Sequence, residues 1–105
     1  MQSFHKEKVA EEIQHLAGRF VSLESNRDAM ITVTHTIISD DAKYATVMVT
    51  VFPDSKEHAV LDFLKRKRKE FKEYVKDNSK IGRIPFFDFE IDVGQKMAND
   101  VYNIN

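Results

Sequence analysis

The chain has no cysteine and no tryptophan, and its 105 residues include only three glycines and two prolines. Without cysteine there is no disulfide scaffold, no thiolate zinc site and no cysteine nucleophile, so stability has to come from packing. Three glycines provide neither a Gly-rich loop that cradles phosphate nor a glycine-flanked serine nucleophile. No uninterrupted apolar run approaches the roughly 20 residues that a membrane-spanning helix requires. Met1 to Ala10 carries charges where a signal peptide would be apolar. A cytoplasmic, reducing compartment and no membrane partner are therefore expected.

What is present suits one domain. Apolar residues make up 42% of the chain, too many for a disordered segment, and a domain of this size buries roughly two-thirds of the surface its unfolded chain exposes. The net charge of −1 hides a segregation. Residues 64–83 carry nine Lys/Arg against three acids, a local +6, while the other 85 positions sum to −7. A concentrated positive field on an acidic body attracts polyanions locally while the whole protein stays soluble.

Hydrophobic spacing sets the element order. Between Ser3 and Ser22, Val9, Ile13, Leu16, Ala17 and Phe20 recur at helical intervals. Met30 to Ser39 is rich in β-branched residues and predicts a strand, with Ile31, Val33, His35 and Ile37 on one side and Thr32, Thr34 and Thr36 on the other. Ser39, Asp40 and Asp41 supply turn chemistry. Lys43 to Phe52 alternates again with Ala45, Val47, Val49 and Val51 on one face, so these two strands are expected to pair antiparallel. Asp54 and Glu57 have the spacing of a capping box. A long helix follows, its stripe running through Val60, Leu61, Leu64, Phe71, Tyr74 and Val75. Lys67 and Arg68 interrupt that stripe: either the helix bends there, or their aliphatic stems lie along the core with the charges reaching out. After Pro85, Phe86 to Val93 has a period of two, with Phe87, Phe89, Ile91 and Val93 inward and Asp88, Glu90 and Asp92 outward, and Gly94 ends it. Val101 and Ile104 either cover a core edge from a short terminal helix or belong to a frayed tail. Domain limits of 1–98 with a tail at 99–105 follow. The expected class is α+β, a two-layer sandwich with both principal helices on one face of a three-stranded sheet. Thr32, Thr34, Thr36, Thr46 and Thr50 are expected on the solvent face.

The strongest chemical signal is the run Lys65, Arg66, Lys67, Arg68 and Lys69, continued by Lys72, Lys76, Lys80 and Arg83. Neutralising closely spaced phosphates releases condensed counterions, so such a cluster confers salt-sensitive affinity for nucleic acid without base contacts. The competing reading is a solvated helix face relieved by Glu70, Glu73 and Asp77. Alternating Asp88, Glu90 and Asp92 could hold a hard cation or share a proton, but they also suit an exposed strand that discourages edge pairing. None of His5, His15, His35 and His58 forms a short-spacing zinc pair. No catalytic residue, metal site or cofactor is expected.

The chain resembles the bacterial ribosome-binding factor A family along nearly its whole length. The resemblance rests first on Ile31, Thr32, Val33 and Thr34, then Ser39, Asp41, Lys43, Ala45, Val47, Val49 and Val51, which match that family's hairpin in type and spacing. Lys8, Val9 and Ile13 fit its first helix, Pro85, Phe87, Phe89 and Asp92 its last strand, and Gly94, Lys96 and Met97 its closing residues. The resemblance implies a type II KH-like fold of order α-β-β-α(kink)α-β. In the family the kink carries Ala-x-Gly; here Lys67, Arg68 and Lys69 stand in its place. It further implies a monomeric assembly factor, not an enzyme, that binds the immature 30S ribosomal subunit and 16S rRNA and assists maturation of the rRNA 5′ end. The cations named above would carry the RNA contacts, with Lys43 at the hairpin as a further candidate. Two other readings are a ribosome-associated or self-associating protein-interaction module, marked by association without RNA, and a small acid/base enzyme built on Asp88, Glu90 or His35.

Overall fold

Local patterning and burial agree over most of the chain. The structure, a computed structural model, describes the backbone of residues 2–25 and 28–103 and the side chains of residues 5–25 and 28–98. Helix α1 spans Gln2–Glu24, and it buries Ile13, Leu16, Ala17, Phe20 and Val21, the positions its 3.6-residue period turns inward. Strands β1 (Met30–Ile38) and β2 (Tyr44–Phe52) pair antiparallel. Helices α2 (Glu57–Arg66) and α3 (Arg68–Asn78) cross over the sheet, and β3 (Phe86–Ile91) then runs parallel to β2, giving the order β1-β2-β3. Parallel neighbours need such a crossover, because a tight hairpin can only reverse the chain. Helix α4 (Val93–Asn103) closes the chain and continues through the boundary at residue 98. The side chains of Val101 and Ile104 lie outside the described residues.

The core lies between the helices and one sheet face. Ala45, Val47, Val49 and Val51 of β2 are buried as the alternation requires, opposite Leu64, Phe71 and Val75. Phe71 is its hub, with ring centroids 5.2 Å from Phe20, 4.6 Å from Phe87 and 5.6 Å from Phe89.

Strand β1 departs from the expected alternation. Val33 pairs with Val49, but His35 pairs with Met48, leaving Thr34 as an extra residue in a β-bulge. One inserted residue reverses the parity of everything after it. Thr36 therefore sits opposite Val47 and Ile38 is buried, whereas His35 and Ile37 turn to the open face. The expected grouping of His35 and Ile37 with Ile31 and Val33, and of Thr34 and Thr36 with the solvent face, fails at this bulge. The polar groups of the bulge have partners: the Gln14 amide donates to the Thr34 carbonyl at 3.1 Å, and the Thr34 hydroxyl donates to Asp92 Oδ2 at 2.6 Å.

Asp92 is the second departure. Alternation points it outward on the last strand, but β3 stops at Ile91 and Asp92 is only 7% exposed. Its carboxylate accepts from Thr34 and from the Gln95 backbone amide at 3.0 Å, with His35 Nδ1 3.2 Å away. It thus caps α4 while pinning the bulge. Val93 and Gly94 consequently open a helix; Val93 does not point inward and Gly94 does not end the strand. The capping box expected at Asp54 and Glu57 also does not form. Asp54–Lys56 makes a 3-10 turn without a side-chain cap, and Lys96 Nζ lies 3.7 Å from Asp54 and 3.0 Å from Glu57.

The bond from the Thr34 hydroxyl, followed by that from the Gln95 amide, holds the Asp92 carboxyl below its ordinary value of 3.8, against the opposing effect of burial. A carboxylate depressed in the folded state stabilises it above the unfolded value, and that contribution is lost as pH falls through the folded value. Asp92→Ala is expected to cost about 1 kcal/mol near neutrality, the scale of a lost helix cap, since the Thr34 hydroxyl keeps the Met48 carbonyl, 3.2 Å away, as an acceptor. Urea titrations at pH 7 and pH 3 should show this deficit shrinking in acid; a deficit independent of pH would mean that the carboxylate charge contributes nothing.

Candidate nucleic-acid interface

The interrupted stripe is resolved by a bend. Leu64, Phe71 and Val75 are all fully buried, and a straight helix placing them inward would drive Lys67 and Arg68 into the core as well. Instead the chain breaks at Lys67, whose φ of −97° and ψ of 9° separate α2 from α3. This bridge-region conformation has a negative φ and needs no glycine. The hydrogen bonds released by the break are recovered locally. The Lys67 amide donates to the Leu64 carbonyl at 3.0 Å, and Arg68 Nε donates to the Lys65 carbonyl at 2.8 Å. Lys67 also keeps its stem partly covered, its ammonium 5.5 Å from the Phe63 ring centroid.

The five-residue block then divides by destination. Lys65 reaches the edge strand, its ammonium 2.7 Å from Asp88 and 3.2 Å from Glu90, and Arg68 joins Asp88 at 3.4 Å. Arg66 pairs with Asp62 at 3.4 Å, and Lys67 pairs with Glu70 at 3.0 Å and lies 3.8 Å from Glu24. Asp88 and Glu90, which the sequence presents as an exposed self-repelling pair, are thus held together by a shared ammonium. Partial desolvation opposes the Lys65 charge, yet the bonds to Asp88 and Glu90 raise its affinity for the proton above the lysine norm. Asp88 is correspondingly lowered: desolvation works against the carboxylate, but Lys65 and the Phe89 amide outweigh it. By linkage the Asp88 contribution is present above its unfolded value and lost in acid, while that of Lys65 is present below its unfolded value and lost in strong base. The pair therefore holds throughout the neutral range.

The remaining cations stay available. Lys69, Lys72 and Lys76 recur at i, i+3 and i+7 on one face of α3, spanning about 10 Å of helix. None of them makes an ion pair among the described residues. Lys69 and Lys72 line an open groove of about 690 Å³ together with Arg68, Tyr44, Phe86 and Asp88. Tyr44 and Phe86 are directly opposed in register across β2 and β3, with ring centroids 5.9 Å apart, and the Lys72 ammonium lies 4.9 Å from the Phe86 centroid. Lys80 and Arg83 stand elsewhere. They line a larger cleft of about 990 Å³ with Lys6 and Lys8 from α1 and Asp40 and Asp41 from the hairpin turn. Lys43 sits in that turn, where its amide donates to Asp41 at 3.1 Å.

Tyr44 and Phe86 are not singled out by the sequence reading. The signal that could have found them is the parity of the strands: each is a large ring on the outward side of an alternating segment. The residues considered for acid/base chemistry are not gathered at one point: Asp88 and Glu90 share the Lys65 ammonium, while His35 contacts Asp92 and is separated from Glu90 by β2. Among the described residues no cluster of three His, Asp or Glu could hold a metal, and no helix is long and apolar enough to cross a membrane.

Comparison with known proteins bears on the same architecture. A family model for ribosome-binding factor A matches residues 5–104. The crystal structure of ribosome-binding factor A from Thermus thermophilus superposes with a TM-score of 0.73 at 17% identity, covering 82% of this chain and 93% of that one. The solution structure of a Thermotoga maritima candidate ribosome binding factor A gives 0.66 at 22% identity, over 80% of this chain and 83% of the other. No curated protein sequence matches. The α+β arrangement of helices on one face of a three-stranded sheet is the KH-like fold of these neighbours. With the family pattern spanning all but the extreme ends of the sequence, the chain belongs to the ribosome-binding factor A family.

Proposed function

We propose that this protein is a non-catalytic, cytoplasmic and monomeric assembly factor that binds the immature 30S ribosomal subunit through 16S rRNA and assists maturation of the rRNA 5′ end. The observation that carries this reading is the row of Lys69, Lys72 and Lys76, free of acid partners among the described residues and set beside an open groove. Family membership supports the ribosomal target. Three ammonium groups along one helix face can contact successive phosphates. Lys80 and Arg83 offer a second contact around the end of the sheet. Binding that favours one rRNA conformation over another shifts the folding equilibrium of the particle, and it does so only by the difference in affinity between the two.

The test is complementation. Cells lacking the protein should accumulate 16S rRNA with unprocessed 5′ ends, mapped by primer extension, and the native chain should restore processing and sediment with 30S particles. The triple change Lys69→Gln, Lys72→Gln and Lys76→Gln should do neither well. Full restoration by the triple variant would remove α3 from the account.

A further inference from the structure

We propose that Tyr44 and Phe86 form a stacking platform for unpaired bases, so that the groove beside α3 takes single-stranded RNA. This inference rests on the RNA-binding reading above and specifies the ligand class for that site. The two rings remain 59% and 63% exposed, on the sheet face opposite the helices. Isolated exposed aromatics are ordinary. Here, however, the rings stand side by side at one end of the sheet, in the groove whose other wall carries Lys69 and Lys72.

Their backbones are fixed. The Phe86 amide donates to the Lys43 carbonyl at 2.8 Å, and the Tyr44 carbonyl accepts from the Ser39 amide at 2.9 Å. The platform is therefore organised before a ligand arrives, and little ordering remains to oppose binding. Lys72 holds its ammonium over the Phe86 ring, and a base stacking on that face would displace this flexible side chain outward, toward the nucleotide's own phosphate. A duplex keeps its bases stacked on one another and offers no free face, whereas an unpaired strand presents both a π-face and a phosphate. The combination of ring and ammonium fits the second. Phe52, at 71% exposure, is an equally available aromatic at the opposite end of β2 with no cation–π partner among the described residues, and it serves as the control.

The experiment measures affinity by fluorescence anisotropy, across a salt series, for an unstructured ten-nucleotide RNA, the same strand annealed to its complement, and an abasic ribose-phosphate chain of equal length. The native chain should prefer the unpaired strand to the duplex by about tenfold or more. The double change Tyr44→Leu and Phe86→Leu should lose about tenfold or more on the unpaired strand with its salt slope unchanged, bringing it level with the native chain on the abasic ligand. Phe52→Leu should bind as the native chain does. Equal affinity for paired and unpaired RNA, or no effect of the double change while the lysine variants still weaken, overturns the platform and leaves RNA binding standing. If no RNA binds, and the lysine variants still associate with 30S particles as the native chain does, the RNA reading falls as well and the rings belong to a protein contact. Thermal melts of the double variant should match the native chain, since both rings lie outside the core.

Discussion

Replacing Lys69, Lys72 and Lys76 together by Gln is expected to flatten the log-log dependence of RNA affinity on salt by about 2 units, at roughly 0.7 per single-strand phosphate contact. Over a fourfold rise in salt, the native chain should then lose roughly 20-fold in affinity that the variant does not lose, because the variant has no such counterions to release. Charge counting alone would forecast the same result for Lys65→Gln, Arg66→Gln and Arg68→Gln. The structure separates the two sets. Lys65 and Arg68 already face Asp88, and Arg66 faces Asp62, so removing them takes away cations whose field is locally cancelled. Their triple variant should keep most of the salt slope. It should instead lose up to about 1 kcal/mol of stability, the scale of partly exposed ion pairs, as Asp88 and Glu90 are left repelling one another. Equal slopes for the two triple variants would show that ion pairing in the free protein does not decide which cations meet RNA.

Phe71→Ala should have the largest effect on stability, about 3–5 kcal/mol by the cost of emptying a buried aromatic site. The total stability of a domain this size is about 5–15 kcal/mol, so the variant should be marginal at room temperature. Three rings contact Phe71, one from α1 and two from β3. Its loss therefore opens a void between both layers that no single element can move to fill. Phe71→Leu keeps most of the apolar volume and should cost less than half as much. Equilibrium urea unfolding gives the comparison directly, and a Phe71→Ala deficit below about 1 kcal/mol would mean that the ring is not the hub its contacts indicate. Because Phe71 lies one turn beyond the break at Lys67, weakening it should also loosen the base of the lysine row, so RNA affinity and stability should fall together in this variant. They should separate in the Lys69, Lys72 and Lys76 variant, whose side chains lie outside the core.

The break between α2 and α3 shows how far patterning carries. The missing inward positions at Lys67 and Arg68 announce a discontinuity, and the fully buried Leu64 and Phe71 on either side of it confirm the stripe. The pattern cannot choose between a bend and two stems lying along the core, and Lys67 combines the two. The Thr34 bulge is beyond its reach altogether. Alternation of β-branched and threonine residues reads the same with or without an inserted position, so the reversal at His35 is visible only in the pairing with Met48. Asp92 escapes the pattern for a related reason. Its parity on an ideal strand is outward, but the strand ends one residue earlier and the carboxylate finds Thr34, 58 positions away in the chain.

By itself the sequence determined the element order, the composition of most of the core, the gathering of cations around a helix break and the family to which the chain belongs, because each of these is written in the spacing of near neighbours. Tertiary structure alone decided which cations remain available to a ligand and which rings stand beside them. Coulombic and hydrogen-bonding partners are chosen by distance in space: Lys65 meets Asp88 across 23 positions of chain, Lys67 approaches Glu24 of α1, and Tyr44 meets Phe86 only because β3 returns parallel to β2.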